Sequence, residues 1–238
     1  IDQAHTRSLL AHGIASRLAN RVGDHAAESY LHPWFGRWLA RSLSRDFWHS
    51  TNIWSGVARE WLRSDHHSSK RLVHRGSAHI RAQREILDEE ERRAGISIDK
   101  PTDWMIDREE AEYADADLVV VPSSFAGSTF ESKGIPHDRV RVLPLATNSW
   151  GFEAKSENIE ARVQRVLAGE PLRVLYVGTL SYQKGIFDLE TIIRDQRSVS
   201  MRFRLVGPIR AECVAAADPI RQKAEAIGYV SREELVDH

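Results

Sequence analysis

The sequence predicts an α/β protein in which parallel β-sheets carry helices on both faces. From Arg71 onward, short apolar segments typical of buried strands alternate with amphipathic helical segments. Gly95 and Gly134 occupy positions where a helix usually stops. The apolar run Leu172–Val177 leads directly into a short polar loop and a helix, which is the strand–loop–helix unit of a parallel sheet.

The expected elements follow one another along the chain. Strands are predicted at 71–75, 117–121, 140–145, 172–177, 202–206 and 229–230. Helices are predicted near 79–94, 107–115, 124–133, 157–168, 185–195 and 218–227. The last helix is expected to start at Asp218-Pro219, an N-cap residue followed by proline at the first helical position. Before residue 71 we expect a helix over 34–45, a short strand at 47–53 and a helix through Trp61.

The stretch 146–171 breaks the alternation and marks a domain boundary. It begins polar and irregular, passes through a helix and ends at Gly169-Glu170-Pro171, after which a new buried strand begins. We therefore divide the chain into one domain over 1–150 and a second over 151–238. Each has the repeating pattern of a Rossmann-like parallel sheet.

The two ends of the chain predict that both domains are incomplete. The chain begins at Ile1 without a methionine. It stops just after Ser231 and Glu234 open a helix as a capping box. Since helices rarely end at such a point, we expect this chain to be part of a longer protein.

Composition and charge exclude several classes of protein. The net charge is -1, which provides no global attraction to nucleic acid or acidic lipid. The single cysteine, Cys213, excludes an internal disulfide framework and is typical of a reducing compartment. No apolar run approaches membrane-spanning length. These features predict a cytoplasmic protein with no nucleic-acid partner.

The loop after the strand at 172–177 is the strongest candidate for a ligand site. It carries Gly178, Thr179, Lys184 and Gly185 and leads into a helix. Unpaired N–H groups and the positive end of the helix dipole attract anions at such a helix start, and a lysine adds positive charge. The spacing matches neither Walker A nor G-x-G-x-x-G. The loop therefore predicts a phosphate site, with a solvated loop lysine as the alternative.

A second candidate segment follows the strand at 71–75 and enters a helix. Arg75, Ser77 and His79 lie there at the carboxyl end of a strand, where ligands bind to parallel sheets. The functional interpretation places these side chains in a cleft. The structural alternative makes Ser77 the helix N-cap and His79 a surface residue of the first turn.

No metal site is predicted. Asp115-Ala116-Asp117 has the form of a D-x-D metal motif, but it precedes its strand and so lies at the wrong end of the sheet for a ligand. Asp65-His66-His67 is followed by no third ligand at metal spacing. We interpret the first motif as a helix end and strand start, and the second as a polar loop.

The helix over 34–45 is amphipathic and basic. Its apolar stripe includes Trp34, Phe35, Trp38, Leu39 and Leu43. Arg37, Arg41 and Arg45 form a row at intervals of four on another face. This pattern fits core packing with a solvated arginine face, and it also fits peripheral contact with an anionic membrane.

Four stretches of the chain form one pattern when they are read together. They are H-R-G-S-A-H-I at 74–80, E-Y-A-D-A-D at 112–117 running into V-P-S-S-F at 121–125, S-K-G-I-P-H at 132–137 with V-R-V-L-P at 140–144, and V-G-T-L-S-Y-Q-K-G at 177–185 with L-V-G-P at 205–208 and G-Y-V at 228–230. In order and spacing they resemble the family 4 glycosyltransferases. That family has the GT-B architecture, in which two Rossmann-like domains face each other across a cleft.

The resemblance implies a function for each domain. The domain over 1–150 would be the acceptor side, and the domain over 151–238 would bind a UDP- or GDP-linked sugar donor. The reaction would transfer that sugar to a glycan, lipid or small-molecule acceptor, with retention of the anomeric configuration and without a metal or other cofactor.

The resemblance also implies roles for single residues. Lys184 matches the lysine that contacts the donor diphosphate, and His79 matches the histidine that approaches the donor sugar. Many members have an arginine after the glycine that matches Gly178, whereas this chain has Thr179. Phosphate neutralisation would therefore depend more on Lys184, the loop amides and the helix dipole. Gly207 would lie near the same cleft.

Two other functions remain open at this point. One is a non-catalytic nucleotide- or glycan-binding module. The other is a different GT-B enzyme, such as a nucleotide-sugar epimerase or a phosphorylase. The glutamate pair E-x7-E of the family would fall after His238. Its presence in the longer protein would favour catalysis over a binding module.

Overall fold

A computed structural model describes residues 9–22, 27–45, 47–64, 70–146, 155–195 and 200–235. The chain divides into two compact units. The first comprises Ile1–Asp88 and Asp99–Leu145, and the second comprises Glu89–Ile98 and Ala146–His238. The division after Leu145 lies close to the boundary placed after residue 150. The grouping of Glu89–Ile98 with the second unit is a feature that the sequence did not indicate.

The first unit contains a four-stranded parallel sheet. Its strands are β1 (Ser50–Trp54), β2 (Lys70–His74), β3 (Leu118–Val121) and β4 (Val140–Val142), and they lie in the order β1-β2-β3-β4. The helices up to β4 are α1 (Leu10–Val22), α2 (Glu28–Leu43), α3 (Arg59–Leu62), α4 (Ile80–Ala94), α5 (Asp103–Asp115) and α6 (Ser124–Ser132). The α/β class with parallel strands, expected from the alternating pattern, is confirmed.

Aromatic side chains fill the core of the first unit. Trp61, Tyr113 and Phe130 are almost completely buried, next to Val73 of β2 and Val119 of β3. Each such side chain contributes about 1.5–3 kcal/mol of transfer free energy. The indole N–H of Trp61 donates to a threonine hydroxyl at 3.0 Å, so its polar atom is satisfied inside the core.

Asp117, the last residue of the D-x-D sequence, joins two strands. Its carboxylate accepts from the backbone N–H of Arg71 at 2.8 Å and from the Arg71 guanidinium at 3.2 Å. It therefore fixes the start of β3 against β2, as the structural interpretation expects. Asp65, His66 and His67 lie outside the described residues. Within the described ranges, no group of three or more His, Cys, Asp or Glu side chains could hold a metal ion.

The second unit contains a three-stranded parallel sheet. Its strands are β5 (Leu172–Val177), β6 (Met201–Val206) and β7 (Ala224–Gly228), in the order β5-β6-β7. The helices in this part of the chain are α7 (Ser156–Leu167), α8 (Ile186–Arg194), α9 (Val214–Arg221) and α10 (Arg232–Leu235). No described helix of either unit is long and apolar enough to cross a membrane.

Several local signals of helix ends are confirmed. Gly95 and Gly134 have φ angles of +67° and +89°, the left-handed conformation expected after a helix. Ser231 and Glu234 form the predicted capping box, since each accepts from the backbone N–H of the other at 3.2 Å and 2.8 Å. Most other elements lie within a few residues of their predicted bounds.

The helix predicted at 218–227 is wrong in position. Cys213, Ala217 and Ile220 are fully buried at helical spacing, so the buried face begins before the Asp218-Pro219 pair. That pair lies inside α9, which has already begun at Val214. Burial of this face therefore overrides the capping preference of aspartate and proline.

The strand predicted at 229–230 is also wrong. The third strand is β7, which pairs with β6 from Phe203 and Ala224 onward. Tyr229 lies beyond the strand and is 83% exposed. The sequence of β7, A-E-A-I-G, has no strong apolar alternation, so the pairing with β6 defines this strand more than its own residues do.

Candidate functional site

The carboxyl ends of β5 and β6 lie side by side and lead into two loops that contact each other. The strands pair in register up to Val177 and Val206. Beyond them, the backbone N–H of Gly178 donates to Val206 at 2.9 Å. Leu180 then donates to the carbonyl of Pro208 at 2.9 Å. These bonds fix the first loop against the second at the edge of the sheet where ligands bind in this class of fold.

Two glycines make this close approach possible. A Cβ atom at Gly207 would lie 2.1 Å from the carbonyl oxygen of Gly178. The φ angle of Gly207 is +140°, a conformation that other residues rarely adopt. Glycine is therefore required at position 207.

Lys184 lies between the first loop and α8. The loop closes with a 3₁₀ turn at Tyr182–Lys184, and Gly185 follows in the left-handed conformation as the residue that begins α8. No described side chain caps this helix start. The side chain of Lys184 is exposed and makes no hydrogen bond or ion pair with another described residue. Its ammonium group is therefore available to an anion.

Neighbouring groups hold the loop in place. Ser181 and Tyr182 are buried, and the Tyr182 hydroxyl donates to the carbonyl of Glu212 at 3.1 Å. The carbonyl of Thr179 accepts from the Tyr176 hydroxyl at 3.1 Å. Buried and anchored residues thus come just before the exposed Lys184 in this loop.

The second unit therefore brings together Gly178, Thr179 and Gly207 at one sheet edge, with Lys184 and Gly185 on the same loop. Backbone N–H groups, an uncapped helix start and one cation suit a phosphate or diphosphate group. The one acid in the first turn of α8, Asp188, is 3.0 Å from the guanidinium of Arg93, so its charge is balanced within this unit.

Arg75, predicted to lie in a cleft, anchors its own loop. Its guanidinium donates to Glu109 at 2.8 Å, to Gln83 at 2.6 Å and to the carbonyl of Ala78 at 3.3 Å. All three of its donor nitrogens have protein partners. Its side chain is 15% exposed, so a ligand would meet it only after some of these bonds break.

Ser77 and His79 are placed differently from the structural alternative. Ser77 is exposed, and α4 begins three residues later at Ile80, so the interpretation of Ser77 as the N-cap is wrong. His79 directly precedes α4 and is 2% exposed, so its interpretation as a surface residue is also wrong.

His79 works as a buried cap of α4. Its ring nitrogen Nδ1 accepts from the backbone N–H of Arg81 at 3.2 Å, and the backbone N–H of His79 donates to the Thr129 hydroxyl at 2.9 Å. The ring packs edge-on against Tyr113 and Phe130, with centroids 5.2 and 4.9 Å away. Burial lowers the pKa of His79 to about 4, so the imidazole is neutral near pH 7. Its match to a catalytic histidine stays a prediction.

We expect His79 to make folding stability depend on pH. Its pKa is about 4 in the folded chain and about 6.5 in an unfolded one, so the unfolded state binds more protons in this window. The stability that His79 provides is present above pH 6.5 and falls by about 1–2 kcal/mol between pH 7 and pH 5, after allowance for solvent screening. Urea unfolding at both pH values measures this loss.

The His79→Asn variant isolates this effect. Asparagine keeps a short polar cap but does not titrate. Other groups titrate equally in both proteins. The difference in free energy of unfolding between wild type and His79→Asn should therefore change with pH because of His79 alone. A variant with the pH dependence of the wild type would contradict the assignment.

Sequence reasoning missed a buried carboxylate in the first unit. Glu112 has no exposed surface, and its carboxylate accepts from the N–H groups of Gly56 at 2.6 Å and of Ala58 and Arg59 at 3.0 Å. Burial raises the pKa of Glu112 to about 7, although the backbone donors and the charge of Arg108 act to lower it. The only signal in the sequence is the i, i+4 spacing of Arg108 and Glu112, which is common on solvated helices as well.

The basic helix predicted over 34–45 is the C-terminal part of α2. Leu39, Ala40 and Leu43 pack against the core, and the arginines at 37, 41 and 45 are exposed. This is the arrangement expected from core packing with a solvated arginine face. Contact of this helix with a membrane stays a prediction.

Solved structures of other proteins have a similar fold. The structure of Anabaena Alr3699/HepE in complex with UDP has a TM-score of 0.52 and 14% identity, and the match covers 84% of this chain and 53% of that chain. The apo form of the lipopolysaccharide outer core galactosyltransferase WaaB has a TM-score of 0.47 and 12% identity, covering 85% of this chain and 50% of that one.

The chain has an α/β fold with parallel sheets, similar to that of GT-B glycosyltransferases. It spans about half the length of the solved structures that it matches. No protein-family model and no curated protein sequence matches the chain.

Proposed function

We propose that this chain is part of a GT-B glycosyltransferase that takes its sugar from a UDP- or GDP-linked donor. One observation carries the proposal: Lys184 is exposed and has no partner among the described residues, and it lies at a helix start that no described side chain caps, on a loop fixed at the carboxyl edge of a parallel sheet. HepE, which has a similar fold, was solved with UDP bound. The resemblance to family 4 supports the further proposal of retention without a metal.

In this proposal the β5–α8 loop stabilises the leaving group. When the bond between sugar and diphosphate breaks, negative charge develops on the diphosphate oxygens. The Lys184 ammonium and the N–H groups at the start of α8 are donors held in position for that charge. Donors that bind the transition state more strongly than the ground state accelerate the reaction.

The first unit would bind the acceptor and the donor sugar. We propose His79 as the group nearest the sugar, in its neutral form, with Arg75 and Ser77 as neighbouring residues. A retaining transfer of this kind needs no protein nucleophile, because a donor phosphate oxygen helps to deprotonate the acceptor hydroxyl. The acceptor would be a glycan, a lipid or a small molecule, and the protein would be cytoplasmic, with α2 as the region of any peripheral membrane contact.

We expect Lys184→Ala to weaken binding of the nucleotide diphosphate by about 1.5–3 kcal/mol, the contribution of a charge-assisted contact. Isothermal titration of UDP, GDP and ADP into the full-length protein, with EDTA and then with Mg²⁺, measures this loss and identifies the base. Lys223→Ala is the matched control, because Lys223 is an exposed lysine of the same unit in the turn before β7.

The outcomes separate the candidate functions. Equal affinity in wild type and Lys184→Ala would remove this loop from the donor site. Binding without sugar transfer would favour a nucleotide-binding module, and C2 inversion of a UDP-sugar without an acceptor would favour an epimerase. Retention is tested by NMR of the anomeric configuration in the first product formed. Normal turnover of His79→Asn at pH 7 would remove His79 from the reaction.

A further inference from the structure

Arginine side chains surround a depression on the first unit, away from the β5–α8 loop in the chain. The depression lies between α2 and α3 and has a volume of about 400 Å³. It is lined by Arg37, Ala40, Arg41, Arg59, Glu60 and Arg63. We call it the arginine pocket. Its volume lies within the roughly 300–1,000 Å³ typical of small-molecule sites.

Helical spacing explains why these side chains converge. Arg37 and Arg41 are four residues apart on α2, so they share one face of that helix. Arg59 and Arg63 are likewise four residues apart, at the start of α3 and just after its end. Packing of α2 against α3 brings the two pairs to one depression. The close approach occurs at Gly36, where a Cβ would lie 1.9 Å from a carboxylate oxygen.

The acid in the pocket does not balance these charges. Glu60 accepts two hydrogen bonds from Arg108, at 3.1 and 2.5 Å, and the Arg108 side chain is only 2% exposed. The negative charge of Glu60 is therefore matched by a buried cation outside the pocket. The four arginines that line the pocket form no hydrogen bond through their guanidinium groups and no ion pair with any other residue that the structure describes.

We propose that the arginine pocket binds a phosphate-bearing anion. Like charges that share a depression repel one another, and a multivalent anion between them removes that repulsion. Guanidinium groups bind phosphate through two parallel hydrogen bonds. Phosphate carries more charge than a carboxylate or a chloride ion, so it balances several arginines at once. The anion is either a free phosphorylated molecule or the headgroup of an anionic lipid. None of its residues is among those proposed to bind the donor, and all of them belong to the first unit.

The test uses inorganic pyrophosphate as the probe and the full-length protein. We expect Arg41→Gln to raise the dissociation constant about tenfold, the scale of one charge-assisted bond. Arg45→Gln is the matched control, because it removes the same charge from the exposed arginine row without lining the pocket. It should change the dissociation constant by less than about twofold, the scale of a screened surface charge.

Comparison with Lys184→Ala distinguishes this site from the donor site. Pyrophosphate binding that persists in Lys184→Ala and weakens in Arg41→Gln supports the arginine pocket. Binding that disappears in Lys184→Ala and is unchanged in Arg41→Gln overturns it and leaves the donor proposal intact. Equal losses in Arg41→Gln and Arg45→Gln also overturn it, because they would show a general charge effect.

Vesicle flotation identifies the source of the phosphate. A lipid headgroup is the ligand if the protein binds phosphatidylcholine vesicles that contain phosphatidic acid but not vesicles of phosphatidylcholine alone. In that case pyrophosphate should compete with the vesicles, and Arg41→Gln should abolish vesicle binding. Pyrophosphate binding through Arg41 without vesicle binding assigns the pocket to a soluble phosphorylated ligand. Absence of binding to both probes overturns the proposal.

Discussion

Glu112→Ala is expected to lower the free energy of unfolding of the first unit by about 3–5 kcal/mol. The substitution leaves three backbone N–H groups, those of Gly56, Ala58 and Arg59, without their acceptor. It also leaves a cavity where a fully buried side chain stood. Urea unfolding followed by tryptophan fluorescence measures the loss, since every tryptophan except Trp150 belongs to this unit.

Two variants of the same helix serve as controls for this prediction. Glu112→Gln keeps one carbonyl oxygen but places an NH₂ group against an N–H donor, so we expect an intermediate loss of about 1–3 kcal/mol. Glu110→Ala removes a carboxylate that pairs with Arg81 near the surface, and it should cost less than about 1 kcal/mol. If Glu112→Ala were as mild as Glu110→Ala, the buried bonds would not stabilise the unit.

Gly207→Ala is expected to disrupt the edge of the second sheet. Its Cβ would lie 2.1 Å from a backbone oxygen of Gly178, so the two loops must separate. Overpacking costs about 1–3 kcal/mol, and the positive φ of +140° adds about 1 kcal/mol. Thermal unfolding measures the loss of stability, and titration of UDP tests whether the proposed donor site weakens with it.

Gly178→Ala is the matched control, since it makes the same substitution at a φ of +150°. A Cβ at Gly178 would meet only Tyr176, at an ordinary 3.7 Å. We therefore expect Gly178→Ala to lower the stability by about 1 kcal/mol through backbone strain alone, without the cost of overpacking. Equal destabilisation by the two variants would show that backbone conformation, and not the contact between loops, requires glycine at position 207.

Local patterns were sufficient to predict most of the fold. β3 is a continuous apolar run, and β5 is apolar except for Arg173. α4 and α8 have amphipathic spacing with clear ends, so the positions of these elements follow from their own residues. β7 was missed because pairing with β6, and not its own composition, makes it a strand. The pattern of α7 predicts a helix correctly, yet it has no buried residue in the structure.

The parts of the candidate site that are contiguous in sequence could be predicted, and the parts that depend on helix packing could not. The loop from Gly178 to Gly185, which we propose as the phosphate site, is continuous in sequence, so its residues could be chosen without a structure. The environment of Glu112 and the arginine pocket could not be predicted. Each requires α3 to pack against a helix far away in the chain, α5 for Glu112 and α2 for the pocket. A carboxylate or an arginine on a helix has the same pattern whether it is buried or solvated.

The strand order of the first sheet has a consequence for the order of its assembly. Ser50 pairs with Lys70 and Val119 with Val140, so each outer pair of strands closes a loop of about 20 residues. Arg71 and Asp117, which join β2 to β3, are 46 residues apart. Closing that longer loop costs about 0.7 kcal/mol more in chain entropy. The two outer pairs are thus entropically favoured to form first, and the central pair joins two halves that already exist.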